Sequence, residues 1–262
     1  MHRDGEPPKA TLDEALALMH DLRQRCEWDR AQTHTSLRPY LIEEAHEVDD
    51  AIASGDDATL RDELGDLFLQ VLFHAVVAEE RGAFSMQHVA GALVTKMRAR
   101  HPHLYGDGVR RPWEAMKAEK ARRSSLEEGL PGGLPSLHRA HRLQDRAAGV
   151  GFDWPNALGP LEKVREEVDE VAAHIDPQGA VRDSAALESE IGDLLFAVVN
   201  LARKTGLHPA LALDGANRKF TARYAAMERL ATERGLEFAR LSLEEQDVLW
   251  EAVKLGETGI GG

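Results

Sequence analysis

Two acidic motifs occur in the same order in both halves of this chain, and that internal repeat constrains its fold more than any other feature. EEAHEVDDAI (43–52) is answered by EEVDEVAAHI (166–175), and RDELGDLFLQVLFHA, beginning at Arg61, by ESEIGDLLFAVVNLA, beginning at Glu188. Two further matches follow: KMRAR (96–100) with KFTAR (219–223), and WEAMK (113–117) with WEAVK (250–254). The successive offsets are 123, 127, 123 and 137 residues, so the motifs persist while the segments between them change length. The chain therefore divides into two copies of one unit. Residues 1–123 form the first and 151–262 the second. SSLEEGLPGGLPSL, from Ser124, places a Gly/Pro-rich linker over 124–150, with a short helix near 139–148.

Within each copy the apolar period is helical. Leu60, Leu64, Leu67, Phe68, Val71, Leu72, Ala75 and Val76 recur at three- and four-residue steps, as do Leu187, Ile191, Leu194, Leu195, Val198 and Val199. Leu37, Leu41, Ala45, Val48 and Ile52 precede the first set, and Leu161, Val164, Val168, Val171 and Ile175 the second. Abundant Ala, Leu, Glu and Arg with only 5% aromatics favours helices over a sandwich or barrel. The fold class is all-α, two repeated helical bundles.

The balance of 45 acidic against 32 basic residues gives a net charge of −13, which argues against a nucleic-acid-binding surface. The longest apolar run, 67–78, is interrupted by Gln70 and His74 and falls short of the roughly 18–20 residues that span a bilayer, so a cytoplasmic protein without a membrane segment is expected. A single cysteine, Cys26, excludes an intrachain disulfide and a cysteine-cluster metal site.

Residues three apart on a helix share a face, so Glu44 and Glu47 project together, as do Glu63 and Asp66, and in the second copy Glu167 with Glu170 and Glu190 with Asp193. Glu63 and Glu190 border the apolar stripe, where unneutralised carboxylates are unfavourable. A divalent cation resolves that conflict, and an all-oxygen donor set suits Mg²⁺ or Mn²⁺. An isolated Glu-x-x-Glu is most often a solvated helix face; two acidic pairs, duplicated and followed each time by a basic pair, are more specific. Lys96 with Arg100 and Lys219 with Arg223 are i,i+4 pairs able to grip phosphate oxygens. Trp113 and Trp250 offer a base-stacking or packing surface, with Lys117 and Lys254 one turn on. Gly65 and Gly192 stand inside strong helices, for close helix packing or close ligand approach.

These residues resemble the MazG-type nucleoside triphosphate pyrophosphohydrolases of the all-α NTP pyrophosphatase superfamily. The resemblance covers nearly the whole chain and is carried by CEWDRAQTHTSLRPYLIEEAHEV, the ELGDLFLQ and EIGDLLFAVVNLA helices, the junction RAAGVGFDW (146–154) and ANRKFTARY (216–224). It implies Mg²⁺-dependent hydrolysis of nucleoside triphosphates between the α and β phosphates, giving monophosphate and pyrophosphate in nucleotide-pool house-cleaning or regulation. The implied metal ligands are Glu167, Glu170, Glu190 and Asp193, and by the repeat Glu44, Glu47, Glu63 and Asp66. Glu166, beside Glu167, and Glu43 match a further acidic position that orients the attacking water. Nucleotide contacts fall on Lys219, Arg223, Trp250 and Lys254 with Asn217, and on Lys96 and Arg100 in the first copy. In tandem members the second half resembles the main catalytic unit; here every acidic position persists in both, while Asn217 and Phe220 face Val94 and Met97 across the repeat. The resemblance also implies a homodimer that completes the helical bundles.

Two other readings are weighed. A di-iron bundle would need two Glu-x-x-His motifs, and only Glu43 with His46 fits, its counterpart being Asp169. An acidic helical interaction module would bind nucleotide or a partner protein without turnover.

Overall fold

The computed structural model describes residues 9–106, 108 and 125–258; Trp113 and Lys117 lie outside them. It separates into two units, Met1–Arg110 and Arg111–Gly262. The first carries α1 (Leu12–Arg25), α2 (Glu27–Ala31), α3 (Arg38–Ser54), α4 (Asp57–Glu80), α5 (Met86–Arg100) and α6 (Pro102–Tyr105). The second carries α7 (Ser136–Ala148), α8 (Leu158–Ala173), α9 (Ser184–Lys204), α10 (Pro209–Glu233), a 3₁₀ turn (Phe238–Arg240) and α11 (Leu243–Thr258). Among the described residues there is no strand, only an isolated antiparallel bridge between Ile175 and Val181, and no helix is long and apolar enough to cross a membrane. The repeated all-α architecture is as expected.

Each unit is built on a helical hairpin, α3–α4 or α8–α9, whose start and stop signals are local. Asp56 accepts a hydrogen bond from Ala58 N at 2.9 Å to cap α4. Its repeat equivalent, Asp183, accepts from Ala185 N and Ala186 N at 3.0 and 3.1 Å to cap α9. α3 ends on Gly55 in the left-handed region at φ 72°, a conformation that needs glycine to reverse the chain within two residues of the next helix. The second hairpin connects instead through a longer loop closed by the Ile175–Val181 bridge. This loop accounts for the offset growing from 123 to 127 residues between the two acidic motifs.

The buried core of the first unit joins α1 to α4 through Met19, Leu37, Leu72, Phe73, Val76 and Val77. In the second unit, Met227 and Ala231 of α10 pack on Leu249 of α11, with Trp250 and Phe238 against them. The apolar stripes expected to form the core are only partly buried. Leu41, Ile52, Leu64 and Val71 are exposed in one unit, and Val168, Ile191, Leu195 and Val198 in the other. The segment read as a linker supplies one of the second hairpin's neighbours. α7 packs on α9 and α10, and Gln144 Nε2 donates to the Phe196 carbonyl at 2.9 Å.

Two ionic clasps tie chain to hairpin. Arg23 of α1, 8% exposed, donates through Nε to Glu80 Oε1 at 2.9 Å and through Nη1 to the Gln32 and Asp29 carbonyls. Its hydrogen bond to Glu80 raises the guanidinium pKa and lowers that of the carboxyl. In the second unit, Asp153 accepts from Arg203 and, at 2.8 Å, from Lys204. Arg203 above all holds the Asp153 carboxyl well below its usual value, at about 2.

Arg23→Ala removes the donor from Glu80 and from the Asp29 and Gln32 carbonyls, so a loss of about 1–2 kcal/mol is expected from the first unit, read as a lower denaturant midpoint. Because the folded pKa of Asp153 is depressed, its stabilisation is full above the usual aspartate range. It should be lost as pH falls from about 4 towards 2. The thermal midpoints of wild type and Asp153→Asn should therefore differ at pH 6 and converge near pH 2.

Candidate metal and nucleotide site

The hairpins bring the acidic pairs face to face. In the first unit, carboxylate oxygens of Glu44 from α3 and of Glu63 and Asp66 from α4 lie within 4.8 Å of one another; in the second, Glu167 from α8 meets Glu190 and Asp193 from α9 in the same way. The deeper members are Glu44, Glu63 and Glu190, all half-buried, and Glu167, which is 3% exposed; Asp66 and Asp193 open to solvent. Glu47 and Glu170 stand outside the two triplets but within their fields. Burial raises the Glu44 pKa, helped by Asp66 and Glu47. Burial also raises that of Glu63, with Glu47 and Asp66 adding to it. The Glu170 carboxyl is raised chiefly by its hydrogen bond with Glu167.

The second cluster contains a cation that the motif reading missed. Lys163 Nζ lies 2.6 Å from Glu167 Oε1 and 3.0 Å from Glu166 Oε1. Lys163 thereby lowers the Glu167 pKa, opposite in direction to Glu44. The signal was legible as a lysine one turn before Glu167 on the same face. At the 123-residue offset the first copy has Tyr40, which supplies no charge. Glu167 Oε2 is nonetheless buried without a hydrogen-bond partner. An oxygen-only donor set with one orphaned buried oxygen fits a hard divalent cation.

Gly65 and Gly192 lie inside these clusters by sequence. A Cβ on either would meet no atom within 4 Å. Close packing within the unit therefore does not explain them, and Gly65 faces the apolar residues Ala15, Leu18 and Leu22 of α1 across open space instead of the carboxylates.

The basic residues sit on α10 and α11. The Arg223 guanidinium lies 5.5 Å from the centroid of the Trp250 ring, and Phe220 packs on the same ring at 5.8 Å. Trp250 is half-buried against the Met227–Leu249 core, so packing is part of its role. Lys219 and Asn217 are exposed on α10, and Lys254 Nζ is held at 2.6 Å by Glu251 of its own helix. Glu43 and Glu166 are exposed next to the deeper carboxylates. In the first unit, Lys96 is exposed and Arg100 half-buried at the end of α5.

The model of the MazG nucleotide pyrophosphohydrolase domain matches this chain twice, over residues 32–105 and 159–227. The chain belongs to that family. The matched segments span both acidic clusters and reach Arg100 and Arg223, whereas Trp250 and Lys254 fall beyond the second. A nucleoside triphosphate pyrophosphohydrolase of Escherichia coli is 44% identical over 94% of this chain and 98% of its own length. The nucleoside triphosphate pyrophosphohydrolase/pyrophosphatase MazG of Thermotoga maritima is 43% identical over 94% and 96%. A nucleoside triphosphate pyrophosphohydrolase of Mycobacterium tuberculosis is 37% identical over 65% and 54%.

Lys163→Met removes the ammonium that neutralises Glu167. Added Mg²⁺ should then raise the thermal midpoint of the variant more than that of wild type, since the ion meets a less compensated cluster. Equal shifts would show that Lys163 does not compete with a cation there.

Proposed function

We propose that the chain hydrolyses nucleoside triphosphates between the α and β phosphates, releasing monophosphate and pyrophosphate, with Mg²⁺ as the cofactor and Mn²⁺ as its substitute. The convergence of Glu167, Glu190 and Asp193 within 4.8 Å carries this reading; family membership and the activity named for the relatives support it.

Glu167, Glu190 and Asp193, with Glu170 beside them, are the residues that would hold the metal, and Glu44, Glu47, Glu63 and Asp66 their first-unit equivalents. A divalent cation held by such a set supplies positive charge at the phosphate oxygens and makes nearby water more acidic. Glu166, next to Glu167 at the exposed rim, orients the attacking water and accepts its proton; Glu43 holds the same position in the first unit. Lys163 exchanges a carboxylate partner for a phosphate oxygen as substrate enters. Lys219, Arg223 and Lys254 balance charge on the leaving pyrophosphate, while Asn217 and the Trp250 face bind the nucleoside. Lys96 and Arg100 serve the first unit. A net charge of −13 makes this local cationic set necessary for a polyanionic substrate. The second unit, with Lys163 in place, is the main catalytic unit.

The exposed stripe of Val168, Ile191, Leu195 and Val198 is covered by the same hairpin of a second copy, which makes a four-helix bundle and a homodimer. The biological setting that follows is the cytoplasmic nucleotide pool, where free triphosphates are available, in house-cleaning or regulation.

Glu190→Gln and Asp193→Asn should each lower turnover by about a hundredfold or more while leaving the helical circular dichroism unchanged. Glu63→Gln should cost less. Separation of products from NTPs and dNTPs with Mg²⁺ and with EDTA checks both. Diphosphate with orthophosphate would place the cleavage at the wrong bond, and no product from any substrate would leave a binding module without turnover.

A further inference from the structure

Three histidines of the second unit stand apart from the acidic cluster and meet where α7 lies on α10. His138 and His141 are three residues apart on α7, and His208 occupies the N-cap of α10, where its side chain makes no capping hydrogen bond. The His208 ring centroid lies 4.5 Å from that of His138 and 4.8 Å from that of His141. All three side chains are half-buried. His141 Nδ1 and His208 Nδ1 are buried without a hydrogen-bond partner. A neutral imidazole tolerates this, because its Nε2–H tautomer leaves only a bare lone pair at Nδ1. A protonated ring carries a hydrogen on both nitrogens, so protonation puts a donor on a buried atom with no acceptor in hydrogen-bond reach.

The surrounding charges do not supply that acceptor. On α7, Asp145 lies 3.6 Å from His141 Nδ1 and is held by Arg142 Nη1 at 2.8 Å, while Arg139 pairs at 2.8 Å with Glu127 of the segment before the helix. On α9, Arg203 and Lys204 both pair with Asp153. Burial lowers the pKa of His141, against the pull of Asp145 and with Arg142, Arg203 and His138 adding to the shift. Burial lowers that of His208 as well, with His141 and His138 adding and Asp145 and Asp214 opposing. A proton on either ring therefore enters a confined space shared with other rings and guanidinium groups.

We propose that His138, His141 and His208 form a pH-sensitive latch, which docks α7 on its neighbours while the rings are neutral and releases it when they take up protons. α7 packs on both α9 and α10. Those helices carry Glu190 with Asp193 and Lys219 with Arg223, so the latch sits on the element that ties the acidic helix to the basic one. Because the folded pKa of each buried ring is depressed, the docked form binds fewer protons than the released form. Docking is then full above the free imidazole value of about 6.5 and weakens as pH falls below it. One pH unit below that value, each ring that must stay neutral costs up to about tenfold in the docking equilibrium. In the first unit, His34 and His74 share a hydrogen bond at 2.8 Å, and burial lowers the His74 pKa too, so the latch must be read at α7 itself. The inference goes beyond the proposed hydrolysis and does not depend on it.

Hydrogen exchange of the full chain at pH 7.5 and pH 5.5, resolved by peptide mass spectrometry and corrected for the intrinsic pH dependence of exchange, tests this. Protection of residues 136–148 should fall about fivefold or more at pH 5.5 and recover at pH 7.5, while protection of α11 falls less. His141→Gln and His208→Gln, uncharged at both pH values, should each remove part of that loss. The double variant should hold equal protection of α7 at the two. Unchanged protection of α7 in the wild type at pH 5.5 would overturn the proposal, as would the full loss persisting in the double variant. An equal loss in α11 would also overturn it, because the whole unit would then be unfolding instead of α7 leaving it. The wild-type comparison decides the matter whether or not the double variant folds.

Discussion

Carboxylates from two antiparallel helices held within 4.8 Å repel one another, and the hairpin that holds them must be secured elsewhere. Its fixed points are remote from the charge: the aspartate caps on α4 and α9, the buried apolar contacts of α1 with α4, and the ionic clasps of Arg23 and Asp153. The helices thus keep the acidic side chains together without requiring them to attract one another. Positive charge lowers the energy of such a cluster, whereas burial raises the pKa values of Glu44 and Glu63 and the hydrogen bond with Glu167 raises that of Glu170.

The two copies answer that repulsion differently. In the second, Lys163 sits on Glu167 and Glu166, so part of the charge is neutralised from within the helix. In the first, Tyr40 stands at that position and burial leaves Glu44 biased towards its protonated form. A similar divergence appears along α4 and α9, where Phe73 is core and Asn200 borders a cavity. Duplication preserved the carboxylates and the hairpin while the surroundings changed, which separates the demands of the acidic cluster from those of packing.

Much of this was readable one helix at a time. Periodicity located the hairpin helices, and the spacing of Glu44 with Glu47 and of Glu63 with Asp66 placed each pair on a common face. Lys163 was equally local, an i,i+4 neighbour of Glu167, yet a lysine in a charged helix carries no distinguishing pattern until its partner is known to be buried. The contribution of α7 was less accessible. Its Gly/Pro-rich approach reads as a linker, and only its packing on α9 and α10, with the hydrogen bond of Gln144 to the Phe196 carbonyl, shows that the helix is part of the second bundle.

The sequence by itself determined the repeat, the helical class and which carboxylates share a helix face, because those properties depend on residue order and a 3.6-residue period. Tertiary structure decided that Glu47 and Glu170 stand outside the tight triplets, that the apolar stripes stay partly uncovered, and that a mainly apolar cavity opens in the second unit. Each of these depends on the distance and rotation between separate helices. A periodic pattern specifies which face of a helix is apolar, but not what packs against it.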